Sequence, residues 1–86
     1  VKDEELLDNL QALTDQLGII LLRKEGEFKG GIYRLRDQQV FLINPSLSTS
    51  EKISVFCREL AYQDLSGVFV LPAIRELIET QRLLPE

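Results

Sequence analysis

At 86 residues the chain is one domain's worth, with a core too small to spare much volume for a deep cleft. It holds no histidine and one cysteine, which excludes Ser-His-Asp and Cys-His catalysis, a His/Cys zinc site and an internal disulfide. Ten basic against fourteen acidic side chains give a net charge of −4, and neither part of the chain is basic, so a nucleic-acid partner is not expected.

Residues 3–17 read as a helix. Leu6, Leu10, Leu13 and Leu17 recur at helical spacing, with Leu7 widening the stripe. Asp3, Glu4, Glu5 and Asp8 place negative charge where the helix dipole favours it, and Gly18 supplies the stop. Three extended segments follow: Ile19-Ile20-Leu21-Leu22, the alternating Ile32-Tyr33-Arg34-Leu35-Arg36, and Val40-Phe41-Leu42-Ile43, closed by Asn44-Pro45. In the second of these Tyr33 and Leu35 share one face of a half-buried strand, and Arg34 and Arg36 the other. Gly30-Gly31 and Asp37-Gln38-Gln39 read as turns, so residues 19–43 are expected to form a three-stranded antiparallel meander.

The second helix has the clearest start in the chain. Ser48-Thr49-Ser50-Glu51 is a capping box, followed by a buried stripe of Ile53, Phe56, Cys57, Leu60 and Ala61. Ser66-Gly67 ends that segment, and Val68-Phe69-Val70-Leu71 is a short extended run. Pro72 opens a last helix at the position where its missing N–H costs nothing. Ile74, Leu77 and Ile78 form its inner face, and Pro85 marks its end.

Few residues suggest chemistry. Gly30-Gly31 lacks the further glycines of a dinucleotide loop and the Lys-Ser/Thr of a P-loop. Thr49 and Lys52 have the spacing of a Ser-x-x-Lys pair, but the capping box already accounts for them. The acidic groups of the first and last helices lie away from the apolar stripes, as solvated faces do. Cys57 falls on the buried stripe with no base to activate it and reads as a structural thiol. Arg34 and Arg36, about 7 Å apart on one strand face, could hold a carboxylate or phosphate, or pair with Glu59 or Asp64. Arg75 and Glu76 are neighbours on a helix and face different ways, so each is free to meet a partner elsewhere.

The order of elements resembles the small core of the ImmA/IrrE-type metallopeptidases. The likeness rests on the helix ending Leu17-Gly18-Ile19, the Gly31-Ile32-Tyr33 strand, and Val40-Phe41-Leu42-Ile43-Asn44-Pro45 leading into a capped helix, over residues 5–63. In that family the helix carries His-Glu-x-x-His, with Glu as general base and both histidines on zinc. Aligned on Glu59, this chain offers Arg58-Glu59-Leu60-Ala61-Tyr62, so Arg58 and Tyr62 stand where the zinc ligands belong. Two ligands at i and i+4 hold a metal together from one helix face, and an Arg in one slot repels a dication. The resemblance therefore implies a degenerate, non-catalytic relative with a zincin-like core and no metal. The ending Leu71-Pro72-Ala73-Ile74-Arg75-Glu76-Leu77-Ile78-Glu79 is similar to that of short uncharacterised bacterial proteins.

The expectation is a single α+β domain over residues 1–86: an N-terminal helix, an antiparallel meander, and two C-terminal helices packed on the sheet. No run approaches the ~18 apolar residues of a membrane span, and the N-terminus lacks a signal-peptide pattern, so a cytoplasmic protein is expected. It would be non-enzymatic and without a cofactor, acting by contact with a second copy or another protein, with no nucleic acid and no membrane. The alternative is binding of a small ligand or anion. Arg34, Arg36, Arg58, Glu59, Tyr62 and Arg75 are the candidate contact residues under either reading.

Overall fold

The computed structural model describes residues 2–83, the side chains of residues 82 and 83 apart. In chain order the elements are α1 (Asp3–Gln16), β1 (Ile20–Arg23), β2 (Gly30–Leu35), β3 (Gln38–Ile43), α2 (Thr49–Leu60) and α3 (Pro72–Leu83). The class is α+β, as expected.

The helix ends follow local chemistry. Gly18 adopts φ of 76° just past α1, and its N–H and that of Ile19 donate to the carbonyls of Asp15 and Thr14 at 3.0 and 3.2 Å. This is the paired closure that a left-handed glycine permits. At the start of α2 the Ser48 hydroxyl accepts from the Glu51 N–H at 3.2 Å, while the Glu51 carboxylate accepts from the Ser48 N–H at 3.4 Å. Both halves of the capping box are formed. Helix α2 stops at Leu60, however, and residues 61–71 are irregular, so the extension toward Ser66-Gly67 does not form. Val70 still enters the core from that segment. Pro72 is the first residue of α3, and Pro85, the expected stop, lies outside the described residues.

The sheet corrects the antiparallel meander. Its order is β1-β3-β2, with β1 parallel to β3 and β2 antiparallel to it. The loops explain why. Residues 24–29 form a connection long enough to cross the end of an intervening strand, about 10 Å for two strand spacings. The β2–β3 link is a two-residue hairpin, Arg36-Asp37, closed by the Leu35–Gln38 pair. The central place goes to β3, whose Val40, Phe41 and Ile43 are buried. Gly30-Gly31 is no turn; it opens β2. Gly30 has φ of 151°, and a Cβ there would lie 2.5 Å from the Leu42 carbonyl oxygen, so only glycine lets the two strands close.

The core lies on one side of this sheet. Leu10 and Leu13 of α1, Phe41 and Ile43 of β3, Val55, Phe56, Cys57 and Leu60 of α2, and Ile74 and Ile78 of α3 are buried together. The Phe41 and Phe56 rings, 4.6 Å apart at their centroids, join sheet to helix. Helix α1 lies against β1 and α2 against β2, whereas α3 makes its main contacts with α2 and α1. Of the two C-terminal helices expected on the sheet, α3 is therefore displaced onto the other helices. A three-stranded sheet is too narrow to carry three helices side by side, each about 10 Å wide.

Candidate functional site

The expected contact residues do not converge. Arg34 is an exposed residue of β2, on the face shared with Ile32, while Arg36 lies in the hairpin turn with φ of 58°. The two therefore do not project as a pair from one strand face. A left-handed residue reverses the chain direction and breaks the alternation that would have aligned them. Neither forms an ion pair with Glu59 or Asp64 among the described residues. Asp64 instead accepts the Ser66 N–H at 3.0 Å, and this bond and one from the Ser66 side chain hold its carboxyl below the usual range. Arg75 sits on α3 and lines a shallow depression with Asp64 and Glu79, apart from the others. Tyr62 is 70% exposed and lies just past the end of α2, where its N–H donates to the Glu59 carbonyl at 3.3 Å.

Glu59 is the residue that the tertiary structure singles out. Its Oε1 accepts the Ile32 N–H at 2.8 Å, across 27 positions of sequence, and its Oε2 meets the Arg58 Nε at 3.4 Å. The register leaves the N–H groups of Gly30, Ile32 and Arg34 on the edge of β2 away from β3. A carboxylate from α2 thus takes the middle donor of a free sheet edge, one means of blocking unwanted strand addition. Gly31 makes room for it, because a Cβ there would lie 3.3 Å from Glu59 Oε1. Glu59 has both oxygens engaged. Among the described residues no three of His, Cys, Asp and Glu group closely enough to hold a metal.

Cys57 is buried at 3% exposure, and burial pushes its thiol up to about 11. At neutral pH it is a small apolar group in the core, consistent with its place on the α2 stripe.

The larger surface feature is the outer face of the sheet. Leu21, Ile32, Phe41 and Ile43 point to the helices, so alternation turns the intervening residues outward. These are Ile20 and Leu22 of β1, Val40 and Leu42 of β3, and Tyr33 and Leu35 of β2. Tyr33 and Leu35 do share a face, but it is the face turned away from the helices, where they are 44% and 57% exposed. Ile20 and Leu22 are 39% and 46% exposed. Val40, between its ladder partners Ile20 and Tyr33, is buried at 3%. The sequence carried one sign of this: Ile19-Ile20-Leu21-Leu22 has no polar alternation, so a strand built from it is apolar on both faces. Asn44 was also missed as a structural residue. Its Nδ2 donates to the Gly26 and Phe28 carbonyls at 2.9 Å each, and its Oδ1 accepts the Ser46 N–H at 2.9 Å. It clamps the loop that carries the chain around the end of β3.

Compared with protein-family models, with curated proteins and with solved structures, the chain matches none.

Proposed function

We propose that this chain is a non-enzymatic domain that acts by protein contact through the outer face of its sheet. The observation that carries the reading is the row-on-row apolar surface of Ile20, Leu22, Tyr33 and Leu35, left uncovered while all three helices gather on the opposite side. Contiguous apolar residues on an uncovered sheet face are a candidate interaction surface. The resemblance to ImmA/IrrE-type peptidases would fit a scaffold role, since Arg58 and Tyr62 stand where that family has its metal ligands and Glu59 serves the edge of β2. Anion binding by Arg34, Arg36 and Arg58 has less support, because Arg36 lies in the turn and Arg58 already faces Glu59.

The test is association. Light scattering after size exclusion, and retention of partners from a source lysate, should both be compared between the native chain and Leu35→Asp. Leu35 is 57% exposed, so the variant should keep its melting temperature. Loss of a partner or of self-association in the variant is the expected result. A strict monomer that retains nothing specific refutes the reading.

A further inference from the structure

We infer that the chain pairs with a second copy of itself along the outer edge of β1, the two strands antiparallel about a two-fold axis at Leu22. The inference goes beyond contact through the outer face, because it concerns a different surface and leaves that face to another protein. β1 runs parallel to β3 from Ile20↔Val40 to Arg23↔Ile43, and the Lys24 N–H extends the ladder to the Ile43 carbonyl at 3.0 Å. In a parallel ladder alternate residues turn both backbone groups to the neighbouring strand. Ile20, Leu22 and Lys24 therefore bond to β3, while Leu21 and Arg23 turn N–H and C=O away from it. Neither Leu21 nor Arg23 finds a partner on that side among the described residues. The two edges of the sheet differ in this respect, since Glu59 takes the middle donor of β2.

Unpaired groups of this kind bind an extended backbone, and the side chains select which one. β1 is four residues long and ends in Arg23 with Lys24 beyond it, a short and charged edge that discourages indiscriminate pairing. An added strand must answer Arg23 with an acid, and the chain carries that acid beside the same edge. Leu21 packs toward the helices, and Arg23, two positions on, shares its side of the sheet. Asp15 and Gln11 of α1 line a depression with Leu21. Among the described residues neither Asp15 nor Arg23 forms an ion pair. A two-fold axis at Leu22 sets Arg23 opposite the partner's Leu21 and so beside the partner's Asp15, and symmetry repeats the pair. The same axis joins the outward groups of Leu21 to those of the partner's Arg23, with none left over. On the outer face Leu22, 46% exposed, meets the partner's Leu22, and Ile20 meets the stem of the partner's Lys24. Centring the axis on Arg23 would oppose two guanidiniums. Centring it on Leu21 would strand the Arg23 carbonyl, because the Ile19 N–H already donates to Thr14 at 3.2 Å. Glu25 is engaged away from this edge, where it accepts from the Ser46 hydroxyl at 3.3 Å. So short a seam makes a weak dimer of the transient class.

Sedimentation velocity of the full chain, over a concentration series up to about 1 mM, should show a monomer–dimer equilibrium. Arg23→Pro removes an N–H that the monomer does not use, so it should keep its melting temperature and lose the dimer. Arg23→Asp and Asp15→Arg should each weaken the dimer at least about tenfold. An equimolar mixture of those two variants should form a heterodimer of near-native strength, because each supplies the charge the other lacks. Leu35→Asp, on the opposite edge strand, should leave the equilibrium unchanged. A native chain that stays monomeric throughout, or a mixture no stronger than its components, overturns the inference. A dimer that Leu35→Asp dissolves and Arg23→Pro keeps also overturns it, and assigns self-association to the outer face. A monomer that instead binds an extended peptide from a display library, with binding lost in Arg23→Pro, overturns it in favour of another protein's strand.

Discussion

Asn44 offers the sharpest test of the fold, because one side chain closes three hydrogen bonds at 2.9 Å while only 7% exposed. Asn44→Ala leaves two carbonyls and one N–H without their partner. At about 0.5–1.5 kcal/mol net per bond the sum is ~1.5–4.5 kcal/mol. The loop at Gly26 is exposed, so water recovers part of it, and about 2–3 kcal/mol is expected. A domain of this size has a total stability of roughly 4–13 kcal/mol, so the loss should be conspicuous in urea unfolding followed by circular dichroism. Asn44→Asp sharpens the argument. It keeps the acceptor for the Ser46 N–H but turns an oxygen toward the Gly26 and Phe28 carbonyls, so at pH 7 it should destabilise more than alanine. Repulsion raises the folded-state pKa of the new carboxyl above its unfolded value of about 3.9. Stability of the variant is then highest below pH 3.9 and is lost as pH rises through the raised value. An Asn44→Ala cost under about 0.5 kcal/mol, or an Asp variant as stable as the native chain at pH 7, would refute the clamp.

Glu59→Gln should retain the Ile32 bond and cost under about 1 kcal/mol, whereas Glu59→Ala should cost about 1.5–3 kcal/mol and speed hydrogen exchange of the Ile32 amide. Arg36 adopts φ of 58°, so Arg36→Gly should raise the melting temperature and Arg36→Val lower it, each through a change of about 1 kcal/mol. Gly30→Ala should destabilise by about 2 kcal/mol or more, seen as a drop in melting temperature, because its Cβ would meet the Leu42 carbonyl oxygen at 2.5 Å. The Cys57 thiol, raised from 9.0 to about 11, should resist alkylation at pH 8 until the chain unfolds. Burial favours its neutral form, so its contribution to stability is complete below pH 9 and falls as pH rises through about 11.

Helices were the legible part of this chain, because their determinants are local. The leucine stripe of α1, the Ser48–Glu51 box and Pro72 at the start of α3 each act within a few residues, and each does in the structure what its spacing implies. The limits of the strands were legible to within a few residues, but their order was not. A run such as Val40-Phe41-Leu42-Ile43 says that a strand is buried, not which neighbour lies on either side. The candidate site fared worse. Arg34 and Arg36 looked like a pair only while Arg36 was assigned to the strand, and one left-handed residue removed that alignment. Glu59 was named for its place in a family pattern, yet its contact with Ile32 depends on how α2 lies against β2.

The amino-acid sequence by itself determined which histidine-based chemistry its residues do not supply, where its helices begin and where the first of them stops. Absent histidines and local capping chemistry need no third dimension. The tertiary structure decided the rest: β3 in the middle, Tyr33 and Leu35 facing outward, and Glu59 on the free edge of β2. These depend on which distant segments share a face, and hydrophobic pattern specifies that a surface is apolar without specifying what it meets.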